Sequence, residues 1–74
     1  MNPKRKHQIR FGDVLITKRE FQRYEKVKAS GATNMYSKDV QWLADLTVEQ
    51  HLAIMQNYEK LMEAFPDVYE KVRL

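Results

Sequence analysis

Seventy-four residues make one domain near the lower size limit for a self-supporting core, and the absence of cysteine excludes disulfides and thiolate metal ligands. The net charge of +3 is unevenly placed: residues 1–30 carry nine Lys/Arg against three Asp/Glu, and residues 31–74 carry four against seven. That division suits a polyanionic partner, self-association front to back, or a merely solvated surface, and helical packing or pairing must supply the stability.

The longest apolar run, Leu52-Ala53-Ile54-Met55, is far too short to span a membrane. Lys4-Arg5-Lys6 resembles the charged start of a signal peptide, but no apolar stretch follows it, so a cytoplasmic location is expected.

Residues 1–8 are polar and basic and read as a flexible arm, leaving 9–74 as a single domain. Ile9-Arg10-Phe11 and Val14-Leu15-Ile16 flank Gly12-Asp13, which suits a type II′ hairpin over residues 9–16 that pairs Phe11 with Val14 and Ile9 with Ile16. The alternative is a merely extended segment, because two short strands need helices to lean on.

The remainder predicts a mainly α fold of three or four helices. Thr17-Lys18-Arg19-Glu20 is a capping-box pattern that starts a helix over 18–30, with Phe21, Tyr24 and Val27 on a narrow apolar face and Gly31 as its left-handed stop. Ser37 is the expected N-cap of a second helix, 38–46, in which Val40, Trp42, Leu43, Ala44 and Leu46 leave only Lys38, Gln41 and Asp45 polar. A helix so apolar reads as the buried hub, and Trp42→Ala is then expected to unfold the domain.

A second capping box, Thr47-Val48-Glu49-Gln50, starts a third helix over 48–65. Val48, Leu52, Met55 and Met62 form one edge of its apolar arc, Ile54, Leu61 and Phe65 the other, with His51 and Tyr58 between them. An arc that wide either packs on two neighbours or leaves a part for a partner. Pro66 ends it and opens a last helix, 66–73, burying Val68, Tyr69 and Val72.

Ser30-Gly31, Thr33-Asn34-Met35-Tyr36-Ser37, Val40-Gln41 and Leu43-Ala44 together resemble a group of small uncharacterised phage and prophage proteins, over about residues 24–44. In that group a Gly, then Thr-Asn-Met, an aromatic and a small capping residue join two helices, and a glycine tends to follow the second. Here Asp45-Leu46-Thr47 takes that place. The resemblance implies a phage-related origin and a helical core, and supplies no activity. Physically, Thr33 and Asn34 suit a turn, while Met35 and Tyr36 could fold back as a staple near Val40 or Gln41.

No catalytic, cofactor-binding or metal-ligating set emerges, and no small-molecule substrate is evident. Ser30, Ser37 and the threonines read mostly as caps, His7 and His51 are far apart in sequence, and two glycines cannot build a phosphate loop. The expected function is non-enzymatic: a phage-related accessory protein acting through a protein partner or a second copy, with His51, Met55, Tyr58, Met62 and Tyr69 as interface candidates. The alternative is nucleic-acid backbone binding. Arg19, Arg23 and Lys26 form a stripe on the first helix that Lys4, Arg5, Lys6 and Arg10 could extend.

Overall fold

Alternation along Gln8-Ile9-Arg10-Phe11 turns Ile9 and Phe11 inward and leaves Gln8 and Arg10 in water, the period-2 pattern of a strand with one covered face. The computed structural model describes residues 7–68. Strand β1 (Gln8–Phe11) pairs antiparallel with β2 (Val14–Thr17), Phe11 opposite Val14 and Ile9 opposite Ile16. The extended alternative is thereby settled in favour of the hairpin, which begins inside the expected arm at Gln8. Gly12 takes φ +62° at the first turn position while Asp13 stays negative, as a II′ turn requires. The hairpin leans on the helices through Ile16, which is fully buried.

Thr17 ends β2 and caps α1 (Lys18–Ser30). Its hydroxyl accepts from the Glu20 amide, and Glu20 Oε1 accepts from the Thr17 amide at 2.8 Å. The same box recurs at α3 (Val48–Gln56), where the Thr47 hydroxyl accepts from the Gln50 amide and Gln50 Oε1 accepts from the Thr47 amide. The two boxes are joined, because Gln50 Nε2 donates to Glu20 Oε2 at 2.7 Å. One hydrogen bond thus ties together the N-termini of two helices thirty residues apart. Gly31, at φ +68°, stops α1 as expected.

Helix α2 (Asp39–Leu43) is shorter than its apolar composition predicts. Ser37 lies outside it, yet its hydroxyl still accepts from the Asp39 amide. Asp45 adopts φ +55°, and the Leu46 amide donates back to the Gln41 carbonyl at 2.8 Å, which closes a Schellman-type stop. Asp tolerates the left-handed region better than most residues, so the stop forms without glycine.

The expected helix over 48–65 is two helices, α3 and α4 (Tyr58–Ala64), broken at Asn57. Asn57 Nδ2 donates to the Ala53 carbonyl at 2.9 Å, and this local side-chain bond accompanies a non-helical backbone at φ −123°, ψ 28°. Residues 66–68 are again helical, with Val68 buried and Asp67 paired to Lys18 at the start of α1; Tyr69 and Val72 lie outside the described residues.

The core joins Ile16 from the hairpin, Phe21, Tyr24 and Val27 from α1, Val40 and Ala44 around α2, then Leu46, Ala53, Ile54, Leu61, Phe65 and Val68. Phe21 is its centre, with its ring edge-on to Tyr58 at 5.7 Å and tilted against Phe65 at 6.2 Å. Trp42 is not in the core: it is 82% exposed, and Leu43 beside it is exposed too. In a helix of five residues the core takes Val40 and Ala44, one turn apart, and Trp42 lies roughly opposite them at about 100° per residue.

Candidate functional site

Helix α1 and the start of α4 share a cluster of aromatic and charged groups. The Tyr58 hydroxyl donates to Glu25 Oε2 at 2.8 Å, and Lys28 Nζ donates to that hydroxyl at 2.9 Å while lying 4.4 Å from the Tyr58 ring centroid. Glu25 is buried, so its charge is tolerated through this chain of hydrogen bonds toward the exposed Lys28 ammonium. Tyr24 stacks obliquely on Tyr58 and on His51. Tyr58 is therefore half-buried and engaged.

Burial pushes the Tyr24 phenol above its ordinary 10.0; Lys28 opposes the shift, while Tyr58, Glu25 and Tyr36 add to it. A raised folded-state value means that the native protein holds this proton when the unfolded chain releases it. The contribution is complete below pH 10 and is lost as pH rises through the higher native value. Urea midpoints should fall above pH 10, and Tyr24→Phe should flatten that fall; an unchanged slope would remove Tyr24 as its source.

His51, an expected interface residue, is a core residue with 2% exposure. Its Nε2 meets the Met35 carbonyl at 2.9 Å and its Nδ1 meets Gln41 Nε2 at 3.1 Å. A carbonyl only accepts and an amide nitrogen only donates, so Nε2 donates to the Met35 carbonyl and Nδ1 accepts from the Gln41 amide. His51 thereby holds both the α1–α2 loop and α2 against α3. It cannot reach a partner.

The α1–α2 loop forms as its polar residues suggest, with Asn34 Oδ1 accepting from the Tyr36 amide. The staple expected of Tyr36 does not form, since Tyr36 is 83% exposed; Met35 packs against the core instead.

The basic stripe is divided. Lys4, Arg5 and Lys6 lie outside the described residues, and Arg10, Arg19 and Lys26 are exposed. Arg23 belongs to the fold: its Nε donates to the Ala44 carbonyl at 2.7 Å and its Nη2 to the Asp45 carbonyl at 3.2 Å. A cation there satisfies carbonyls left open at the end of α2 and complements its negative pole.

The exposed large apolar side chains among the described residues are Tyr36, Trp42, Leu43, Val48 and Leu52, all within one stretch of seventeen positions. On α3, Val48 and Leu52 lie within about 100° of His51, the edge that faces Gln41 of α2. The wide arc read from the sequence thus splits: Ile54, Leu61 and Phe65 are buried, while Val48 and Leu52 face water. Met55 and Met62 are half-buried between these extremes, and Tyr69 lies outside the described residues.

Met55 also lines two shallow depressions. One, of about 290 Å³, is bounded by Tyr24, Lys28, Met35, Tyr36, Met55 and Tyr58. The other, of about 380 Å³, runs over residues 55–60. Methionines and tyrosines at such a margin form an adaptable, amphipathic lining. Sequence reasoning missed Tyr36, Trp42 and Leu43 as surface candidates because apolar type was equated with burial, whereas the edge that holds Val48 and Leu52 was left open to a partner without those two being singled out. The readable warning was the shortness of the segment between Ser37 and the Thr47 capping box.

Among the described residues no helix is long and apolar enough to cross a membrane, and no three His, Cys, Asp or Glu side chains are grouped to hold a metal ion. Compared with models of protein families, with curated proteins and with solved structures, the chain matches none.

Proposed function

We propose that this chain is a non-enzymatic binding module whose protein contact is made by the outward sides of α2 and the first turns of α3. The carrying observation is the concentration of Tyr36, Trp42, Leu43, Val48 and Leu52 in water on neighbouring elements, while twelve other hydrophobic side chains among the described residues are buried. Small domains rarely leave a large indole uncovered beside aliphatic side chains unless a partner covers them. Met55 and Tyr58 adjoin this surface through the depression that they share with Tyr36, and Met62 packs against the core. An accessory role in phage or prophage biology, exercised in the host cytoplasm, rests on the resemblance carried by residues 24–44.

Trp42 is the sole tryptophan, so its emission reports this surface directly. Partner binding should shift that emission to shorter wavelength. Leu52→Glu should keep the helical circular dichroism of the wild type while losing the partners that the wild type retains on a column. Retention of the same partners by a folded Leu52→Glu protein would reject this surface.

A second reading is favoured by the exposure of Arg10, Arg19 and Lys26: contact with a nucleic-acid backbone, extended by Lys4, Arg5 and Lys6. It requires salt-dependent binding to duplex or single-stranded DNA or RNA. No binding at low salt ends it.

A further inference from the structure

We infer that the occupant of the α2–α3 surface is a cationic amphipathic segment of a different protein, not a second copy of this chain. The inference rests on the interaction reading above and adds the chemistry of the partner. On a chain of net charge +3, the exposed charges of the stretch that carries the apolar surface run the other way: Asp39, Asp45 and Glu49 against Lys38. Two further cations adjoin that stretch: Arg23 is half-buried and committed to the Ala44 and Asp45 carbonyls, and Lys28, which shares a depression with Tyr36, donates to the Tyr58 hydroxyl. Exposed apolar side chains interspersed with acids fit leucine- or aromatic-bearing segments edged with Lys or Arg.

Among the described residues, neither way of using a second copy matches this surface. A twofold contact sets one patch against its own image, so Asp39, Asp45 and Glu49 would find only Lys38 of this stretch to pair with across the axis. A head-to-tail contact would bring up the basic side, Arg10, Arg19 and Lys26. Among the described residues that side carries no exposed large apolar side chain to cover Trp42 or Leu52. Lys28 beside Tyr36 is a described place where a cation meets an exposed aromatic, and its Nζ is already engaged by the Tyr58 hydroxyl and ring.

The test uses two tryptophan-free helical peptides with leucines at i, i+3, i+4 and i+7, one with lysine at its polar positions and one with glutamate. Each is titrated into the full chain while Trp42 emission is followed. The Leu/Lys peptide should shift the emission saturably to the blue, more weakly as salt is raised, and Leu52→Glu should abolish the shift. The triple variant Asp39→Asn, Asp45→Asn, Glu49→Gln should bind that peptide about tenfold more weakly at low salt, the sum of three partly exposed charge contacts.

Equal binding of the Leu/Glu peptide, or undiminished binding by the triple variant, overturns the charge assignment and leaves the interaction surface standing. A Trp42 shift that follows protein concentration alone, with a matching rise in scattering mass, overturns it in favour of a second copy. If neither peptide nor concentration moves the emission, the partner inference fails. The interface reading fails separately, on partner retention by the Leu52→Glu protein.

Discussion

Phe21→Ala is expected to leave the domain largely unfolded at 25 °C. Phe21 has no exposed surface, packs edge-on to Tyr58 and tilted against Phe65, and sits on α1 where the helix meets the remainder of the core. Truncating a buried phenylalanine costs about 3–5 kcal/mol, partly as lost transfer energy and partly as the cavity left behind. A domain of this size holds only about 3–5 kcal/mol in total. The two figures meet, so the folded and unfolded states should become comparable. Circular dichroism is the right monitor, because Trp42 is already in water and its emission should change little on unfolding. Trp42→Ala should cost no more than about 0.5 kcal/mol, the ordinary range for an exposed position. A stable Phe21→Ala protein, or an unfolded Trp42→Ala protein, would place the core elsewhere.

That contrast marks what the sequence makes legible. Both capping boxes, the Gly31 stop and the hairpin register are local: each is set by hydrogen bonds between residues a few positions apart, or by a glycine that takes its positive φ without strain. Local rules suffice for them, and they suffice for the mainly α class with its hairpin. They fail at α2, where five apolar residues between Ser37 and Thr47 suggest burial on all sides. Burial depends on how many neighbours reach a helix, and α2 is covered on its Val40–Ala44 side alone. The Schellman stop at Asp45 shortens it further, and Arg23, twenty-two residues away, supplies the cap that makes the stop satisfactory. Neither fact is local.

The same distinction explains the candidate residues. His51 and Trp42 exchange the roles that their chemistry suggests: a polar imidazole is buried and an apolar indole is bare. The imidazole is buried because a carbonyl from one side and an amide from the other meet both ring nitrogens, which removes the penalty of desolvating them. No fold-internal reason accounts for the bare indole; that is why it carries the functional proposal. The helical period located His51 on the inner arc of α3, and the Met35 and Gln41 partners that fix its purpose come from sixteen and ten residues away.

His51→Ala should therefore destabilise the domain by about 3–5 kcal/mol, nearly as much as the loss of Phe21. The change opens a cavity among Tyr24 and its neighbours, and it leaves the Met35 carbonyl and the Gln41 amide without the groups that satisfied them. Each such buried orphan costs about 1–3 kcal/mol, although half-buried Gln41 can turn toward water and recover most of its share. His51→Phe separates the two contributions. It keeps a ring in the space and removes both hydrogen bonds, so its cost should be about 1–3 kcal/mol, less than that of the alanine variant. Its effect should also be regional. Amide hydrogen exchange should quicken over residues 34–44, which His51 tethers through Met35 and Gln41, while the middle of α1 stays protected. A double-mutant cycle with Gln41→Ala should return a coupling of about 0.5–1.5 kcal/mol for the Nδ1 bond. If His51→Phe matches the wild type in urea midpoint and in exchange over 34–44, the polar tether contributes nothing, and α2 is held by Val40 and Ala44 alone.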